Sequence, residues 1–484
     1  MKYINFKNIY KNKEDINKDS INYLVKLAKI YKVKELYHNA LECYNIILKK
    51  DLNNYVILNE IGICYFKLNQ YKIALYYFDK TIKIKELPVV YNNIGAVYEY
   101  LKEYKIAESY FLKALKIDNN DNSKKSLGKI YYYLKDYQKS INFYRSIKNI
   151  DATDLNYLSF SHLAIKEFKI GFNLYEYRLK DKNIIKFYNS KEDEDIIKIP
   201  TWNGIDKCNN LLVVHEQGIG DNIQYFRFII ELAEKYSDLK ITYFCKNNIS
   251  HIFKEYKNIK IINRDSIMNK DKDKDKDKDS IINKDNNIIL DYDYKIYIMS
   301  LPKILNLNII YPNTEEYINI KEDKLLYWKE ELNKMKKIKV GFVYKGSESI
   351  SQIEKYIPLN EFEQLCELDI DLICIHKKDE IDEIVNLKDK MHFFDIDINK
   401  SFEDTIHILK NIDLLITVDT YIVHLAGVLN IKTWLLLGYS EWRWSNDEFK
   451  TYWYDSVELI RRNSQEKQFK DIIPRIKNKL KELL

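Results

Sequence analysis

Glycine is scarce in this chain. Only 11 of its 484 residues are glycine, about a third of the ~7% usual in proteins, so each is expected to hold a place that a side chain would spoil. The six cysteines (Cys43, Cys64, Cys208, Cys245, Cys366 and Cys374) form no CxxC pair and no histidine-flanked cluster. That excludes a recognisable disulfide framework or zinc site and fits a reducing compartment. No apolar run reaches the ~18 residues needed to span a bilayer. Met1 to Lys13 is polar and lysine-rich, without the apolar stretch of a signal peptide, so a cytoplasmic location is expected. A strong charge imbalance is missing too. Lysine plus arginine number 78 against 72 acidic residues, a net charge of +6, so nucleic acid is not the default partner.

What is present is a globular composition, 46% hydrophobic and 31% charged. The length is too great for one core and implies two or three domains. Lysine, asparagine, isoleucine and 41 tyrosines dominate, a mark of AT-rich codon bias rather than of function.

The first organised feature is a repeat. Gly62, Gly95 and Gly128 recur at intervals of 33 residues, and Ala28 stands 34 before the first. Ala40, Ala74, Ala107 and Ser140 keep the same step, as do Tyr44, Phe78, Phe111 and Tyr144. Small residues let paired helices approach closely, and the aromatic is expected to fill the gap between neighbouring units. Pro88 and the Asp/Asn-rich turns at 51–54 and 118–122 separate the helices. The pattern resembles the tetratricopeptide repeat over about four units from 21 to 153, with a degenerate fifth pair at 162–180. Stacked repeats form a concave groove suited to an extended peptide, so a protein or peptide partner is expected there.

The expected domains are a helical-repeat arm (1–182), a charged linker (183–206), a first α/β lobe (207–336) and a second (337–484). The run "NKDKDKDKDKDS" at 269–280 interrupts the first lobe as a solvated insertion. From 211 onward strands and helices alternate, with strands at 211–216, 240–246, 259–263 and 294–300, then 338–346, 371–377, 392–396, 413–419 and 433–438. Two such series imply two facing Rossmann-like lobes with a ligand cleft at the strand C-terminal ends.

Three loops at those ends carry candidate chemistry. Glu216-Gln217-Gly218-Ile219-Gly220-Asp221 follows the first strand, turns sharply and offers backbone N–H groups to an anion. Asp221 either faces the cleft or simply caps the next helix. Lys345 and Gly346, with Lys355 beyond, suit a phosphate. Asp419 and Thr420 end a strand where a helix begins, so the free N–H groups of its first turn form a site for a diphosphate. His424 lies one turn further, as a site residue or as packing.

On these residues the chain resembles a bacterial family that fuses tetratricopeptide repeats to a glycosyltransferase module related to the lipopolysaccharide heptosyltransferases and, distantly, to the protein O-GlcNAc transferases. The matching stretches include "FKIGFNLYEYRL" (168–179), "PTWNG" (200–204), "HEQGIGDNIQYFRF" (215–228), "VGFVYKG" (340–346), "NIDLLITVDTYIVHLAGVLNIKTWLLL" (411–437) and "EWRWSNDEFKTYWYDSVELIRR" (441–462). The resemblance implies a GT-B fold (a tetratricopeptide-repeat solenoid ahead of paired Rossmann-like domains) and metal-independent transfer from a nucleotide sugar, with no further cofactor. It implies Asp221 as catalytic base, with His424 in the catalytic set. Gly218, Gly220, Lys345, Gly346, Lys355, Asp419, Thr420 and Arg443 would bind the donor, and Glu216, Gln217, Trp442 and Trp444 would line the cleft. Some members modify flagellin or other proteins through the repeat arm.

The chain departs from the family at Lys355-Tyr356, where relatives carry arginine-serine, at 347–354, usually Asn-Pro-rich, at Tyr421, usually small, and at His215, often alanine. These departures bear on donor identity and activity. The expected reaction is inverting transfer. Two other readings stand beside it, a repeat scaffold with a degenerate transferase-like module, and a two-lobed nucleotide-sugar epimerase.

Overall fold

The computed structural model describes residues 18–180, 196, 198–245, 249–263, 292–346, 355–376, 387, 389–396, 402–438, 441–463 and 468–484. The Lys/Asp insertion at 269–280 and the loop at 347–354 lie outside these residues. The chain forms two compact units, Met1–Ser161 and His162–Leu484.

The first unit consists of helices: α1 (Lys18–Val33), α2 (Tyr37–Lys50), α3 (Tyr55–Lys67), α4 (Tyr71–Ile84), α5 (Pro88–Tyr100), α6 (Tyr104–Ile117), α7 (Asp121–Tyr133) and α8 (Tyr137–Arg145), then most of α9 (Ala152–Ala164). They pair as antiparallel hairpins at the repeat period. A Cβ built on Gly95 of α5 would stand 2.6 Å from the Phe111 ring of α6, and one on Gly128 of α7 would stand 2.8 Å from the Tyr144 ring of α8. The repeated aromatic therefore lies on the glycine of its own unit and also packs with the next one, Phe78 with Val90 and Ile94, and Phe111 with Leu127 and Ile130. Glycine is required because the helices meet through that ring.

The turns repeat as well. Glu35, Asn69, Lys102, Lys135 and Lys166 all adopt left-handed φ between 59° and 64°, and each following residue's N–H closes on a carbonyl five residues back at 2.9 Å. This is the Schellman closure that usually takes glycine. Here polar side chains hold it, so it left no glycine signal. The turns at 51–54 and 118–122 are helix starts, where Asn54 accepts the Ile57 N–H and Asn120 the Ser123 N–H.

The second unit opens with the end of α9, then α10 (Phe168–Tyr175) and a 3-10 turn at Glu176–Lys180. The α9–α10 pair keeps the repeat geometry, yet α10 belongs to the second unit rather than to an arm ending at 182. Two wholly parallel sheets follow, with helices α11 (Ile219–Lys235), α12 (Glu322–Leu332), α13 (Glu403–Leu409) and α14 (Tyr421–Val428) between their strands. The first runs β3 (Ile259–Asn263), β2 (Lys240–Cys245), β1 (Asn210–Val214), β4 (Tyr294–Tyr297). The second runs β10 (Val457–Arg461), β9 (Thr433–Leu437), β8 (Leu414–Val418), β5 (Ile338–Val343), β6 (Ile370–Cys374), β7 (His392–Phe393). Counted within its own segment, the second sheet has the order 3-2-1-4-5-6 of the doubly wound fold. Its strands are apolar runs because helices cover both faces; β8, β9 and most of β5 are buried throughout.

Of the segment expected as linker, residues 200–202 run along β4. Lys295 N–H donates to Pro200 O at 2.9 Å and Trp202 N–H to Lys295 O at 2.8 Å. The last strand, β10, was not among those expected.

Candidate functional site

In a doubly wound sheet, ligands bind outside the strand C-terminal ends where the strand order reverses. In the second sheet that point lies between β5 and β8. The chain leaving β5 reaches Lys345 and Gly346, and the chain leaving β8 reaches Asp419 and Thr420. A Cβ on Gly346 would be 3.6 Å from Thr420 Cγ2 and 3.7 Å from the Asp419 carbonyl, so the two loops touch. Lys355 pairs with Asp419 at 2.7 Å. Thr420 caps α14 (Tyr421–Val428), its Oγ1 accepting the Ile422 N–H at 3.2 Å.

In the first sheet the corresponding point lies between β1 and β4, and a side chain fills it. Arg178 is fully buried, and its guanidinium donates from Nε and Nη2 to Glu216 at 2.7 Å each. It also donates to Ser300 Oγ at 2.9 Å, Glu176 at 2.8 Å and the Tyr175 carbonyl at 3.1 Å. Glu216, expected in the cleft, is instead the buried partner of this arginine. Gln217, also expected there, carries the left-handed φ of 58° and donates to Tyr175 Oη at 2.9 Å. The strained position is thus the glutamine; Gly218 is extended, with φ −86° and ψ 170°.

The first-sheet loop meets the second-sheet site through α11 (Ile219–Lys235). This helix starts at Ile219, earlier than its sequence suggested, which places Asp221 in the first turn. Asp221 Oδ2 accepts the Gly218 N–H at 2.9 Å, so it does cap the helix. Its other oxygen is paired with the Arg443 guanidinium, from the turn after β9. Gly220 lies where a Cβ would come 2.8 Å from His424 Cδ2 and 3.2 Å from Tyr421 Cα. The starts of α11 and α14, one from each sheet, therefore abut.

His424, expected in the catalytic set, is 3% exposed. It stacks on Trp444 with ring centroids 5.2 Å apart and shares a hydrogen bond of 3.1 Å with Tyr454 Oη. Burial pushes its pKa down to about 4, against the pull of Asp419. At neutral pH this favours the uncharged imidazole. Tyr421 sets its ring edge-on to Phe402 at 5.1 Å.

Charge gathers around that imidazole. Asp221, Asp419 and Glu441 stand in one another's field together with Arg443 and Lys355. Among the described residues, three acidic side chains thus face two cations. Glu441, which the sequence did not single out, has Oε1 3.6 Å from Arg443 Nε. Although 26% of its side chain is exposed, desolvation pushes its carboxyl above the usual range. Among the described residues no group of three His, Cys, Asp or Glu side chains is arranged to hold a metal ion.

Besides Glu216 and Gln217, Lys345 and Trp442 make their contacts outside this cluster. Lys345 pairs by backbone with Tyr356, and its ammonium lies 5.6 Å from the Tyr344 ring centroid. Trp442 packs edge-on against Phe172 and Tyr175 of α10, at 6.2 and 6.4 Å, while Trp444 reaches the site as the stacking partner of His424. Arg178, Tyr175 and Tyr454 carry the geometry but were missed individually. Arg178 and Tyr175 stood within the matched stretch 168–179, yet nothing in the spacing marked them as buried.

The tetratricopeptide repeat family matches residues 89–121 and 126–154. No curated protein matches the chain in sequence. Similar solved structures include the MamA protein, at 16% identity over 36% of this chain and 97% of that one, with a TM-score of 0.29. PilF of Pseudomonas aeruginosa matches at 19% identity over 37% of this chain and 81% of that one, with a TM-score of 0.30. The first repeat domain of Spaghetti (RPAP3), bound to an HSP90 peptide, matches at 20% identity over 25% and 97%, with a TM-score of 0.23. No helix among the described residues is long and apolar enough to cross a membrane. Residues 89–121 and 126–154 are thus tetratricopeptide repeats, and the α3–α4 hairpin of the helical arm is similar to them in step and in glycine-aromatic contact.

Proposed function

We propose that the second unit is a glycosyltransferase module of GT-B type, and that the repeat arm presents a protein or peptide acceptor to it. The observation that carries this reading is the junction of Gly220 and Asp221 with Tyr421, His424 and Arg443. It joins an acidic group from one parallel sheet to a helix start at the switch point of the other.

In the proposed inverting reaction a nucleotide sugar sets its diphosphate on the first turn of α14, near Lys355 and Arg443. The acceptor hydroxyl gives its proton to Asp221 as its oxygen attacks the anomeric carbon. The bond from that carbon to the diphosphate breaks, and the helix start and the two cations stabilise the departing charge. Flagellin is one acceptor of the right kind, since the family resemblance includes flagellin-modifying members.

A second reading stands beside it, a repeat scaffold with a degenerate module, which would tolerate the acidic groups of Asp221, Asp419 and Glu441 around the expected diphosphate position. Thermal unfolding with a panel of nucleotide sugars separates the two. A ligand at 100 times its Kd stabilises by about 2.7 kcal/mol, so the transferase reading expects a rise in Tm with at least one donor. A flat response across uridine, guanosine, cytidine, adenosine and thymidine donors favours the scaffold.

A further inference from the structure

Two arginines contact the Glu216–Asp221 loop, Arg178 fully buried and Arg443 partly exposed, and their hydrogen bonding differs. Arg178 uses all five of its N–H bonds, on Glu216, Ser300, Glu176 and the Tyr175 carbonyl. It is a finished structural contact. Arg443 pairs through Nη1 with Asp221, but its buried Nε has no acceptor, and Glu441 remains 3.6 Å away. A buried N–H left unsatisfied is costly unless another acceptor can reach it.

Asp221, for its part, has both oxygens engaged, one on the Gly218 N–H and one on Arg443. Each oxygen keeps room for a second acceptor bond, but Arg443 competes with any other partner for the oxygen it holds. The pair also crosses between the sheets, at the point where Gly220 lies against Tyr421 and His424. Asp221 and His424 are 9% and 3% exposed, so a ligand reaching both must part this junction.

We infer that the Asp221–Arg443 pair is a latch between the two sheets, and that a diphosphate opens it by drawing Arg443 onto its own oxygens. Arginine suits the exchange because its planar fork binds carboxylate and phosphate oxygens with the same geometry. Asp221 loses its partner when the donor arrives and is then free to act as base. The site thus couples donor binding to activation of the carboxylate and keeps that carboxylate neutralised when no donor is present. The inference rests on the donor-site reading above.

Inorganic pyrophosphate is the probe, because it reports on the phosphate site without a choice of base or sugar. It is titrated calorimetrically into the full chain as wild type, Asp221→Asn, Arg443→Met and the double variant, each checked for folding by circular dichroism. Asparagine keeps the oxygen that accepts the Gly218 N–H; should Arg443→Met fail to fold, Arg443→Gln replaces it. The latch expects Asp221→Asn to tighten pyrophosphate about tenfold, and expects that gain to vanish when Arg443 is also replaced. An equal gain in both backgrounds means that removal of a negative charge is the whole effect, and the latch is wrong. Binding by the wild type with no change in Asp221→Asn also overturns the latch, while the donor site stands. If none of the four proteins binds pyrophosphate, the donor-site reading falls and the latch with it.

Discussion

At the scale of single residues, the second unit depends on charges taken out of water. Arg178 and Glu216 are both fully buried and joined by two bonds of 2.7 Å. Removing one partner of such a pair leaves an uncompensated charge and costs about 3–5 kcal/mol, whereas replacing both with apolar groups costs far less. Arg178→Met alone is therefore expected to lower stability by that amount in urea denaturation, and Arg178→Met with Glu216→Leu to recover most of it. A small loss in the single variant would show that the pair is not closed in solution.

His424 gives a second test at this scale. Its folded pKa is about 4, below the ordinary 6.5, so the unfolded chain takes up a proton first as pH falls. The stabilisation is complete above pH 6.5 and is lost as pH drops towards 4, by about 3 kcal/mol over the window. Chemical denaturation of wild type and His424→Gln across pH 7 to 4 should converge as the pH falls. Parallel curves would mean that the imidazole is not buried as described.

At the scale of elements, glycine scarcity was the most informative property of the sequence. Gly95 and Gly128 stand under Phe111 and Tyr144, and Gly220 stands against His424 and Tyr421. Gly95→Ala is expected to destabilise the arm by about 1–3 kcal/mol through overpacking. Its unfolding transition should shift while that of the second unit stays in place. Gly220→Ala is expected to leave far-ultraviolet circular dichroism unchanged but to wedge α11 from α14 and abolish pyrophosphate binding.

The repeats and nine of the strands were legible because each follows a period or an apolar run. The placement of Gly220, Asp221, Asp419 and Thr420 was legible because they follow strands, while Lys355, further along, is placed by its pair with Asp419. The contacts of Glu216 and Gln217 were not legible for a physical reason. Their strand-end position was right, but Arg178 and Tyr175, some forty residues earlier, claim them, and a contact of that separation leaves no mark in local spacing. Glu441 was passed over because a single glutamate beside two tryptophans has no period or motif to reveal its charged neighbours. The left-handed turns at Asn69, Lys102 and Lys135 were hidden because glycine was absent from them.

At the scale of the whole molecule, the boundary between units is the main revision. The sequence divides at 182, whereas the compact units divide between Ser161 and His162. Helix α10 keeps the repeat pattern, but its Phe172 and Tyr175 pack on Trp442, and the following turn supplies Arg178 to Glu216. A fragment spanning 162–484 is therefore expected to be monodisperse and to unfold cooperatively. A fragment spanning 183–484 leaves Glu216 buried without its arginine and is expected to aggregate. Size-exclusion chromatography of the two checks this, and equal behaviour would return α10 to the arm.

Everything functional turns on whether Asp221 and the start of α14 work on one substrate. The direct measurement is nucleotide release from a panel of nucleotide sugars by the full chain, with and without a flagellin-type acceptor, for wild type and Asp221→Asn. The expected result is acceptor-dependent release that falls at least ~100-fold in the variant, while the variant still binds the donor. Release at the wild-type rate by Asp221→Asn, or no release with any donor and acceptor, would contradict the account.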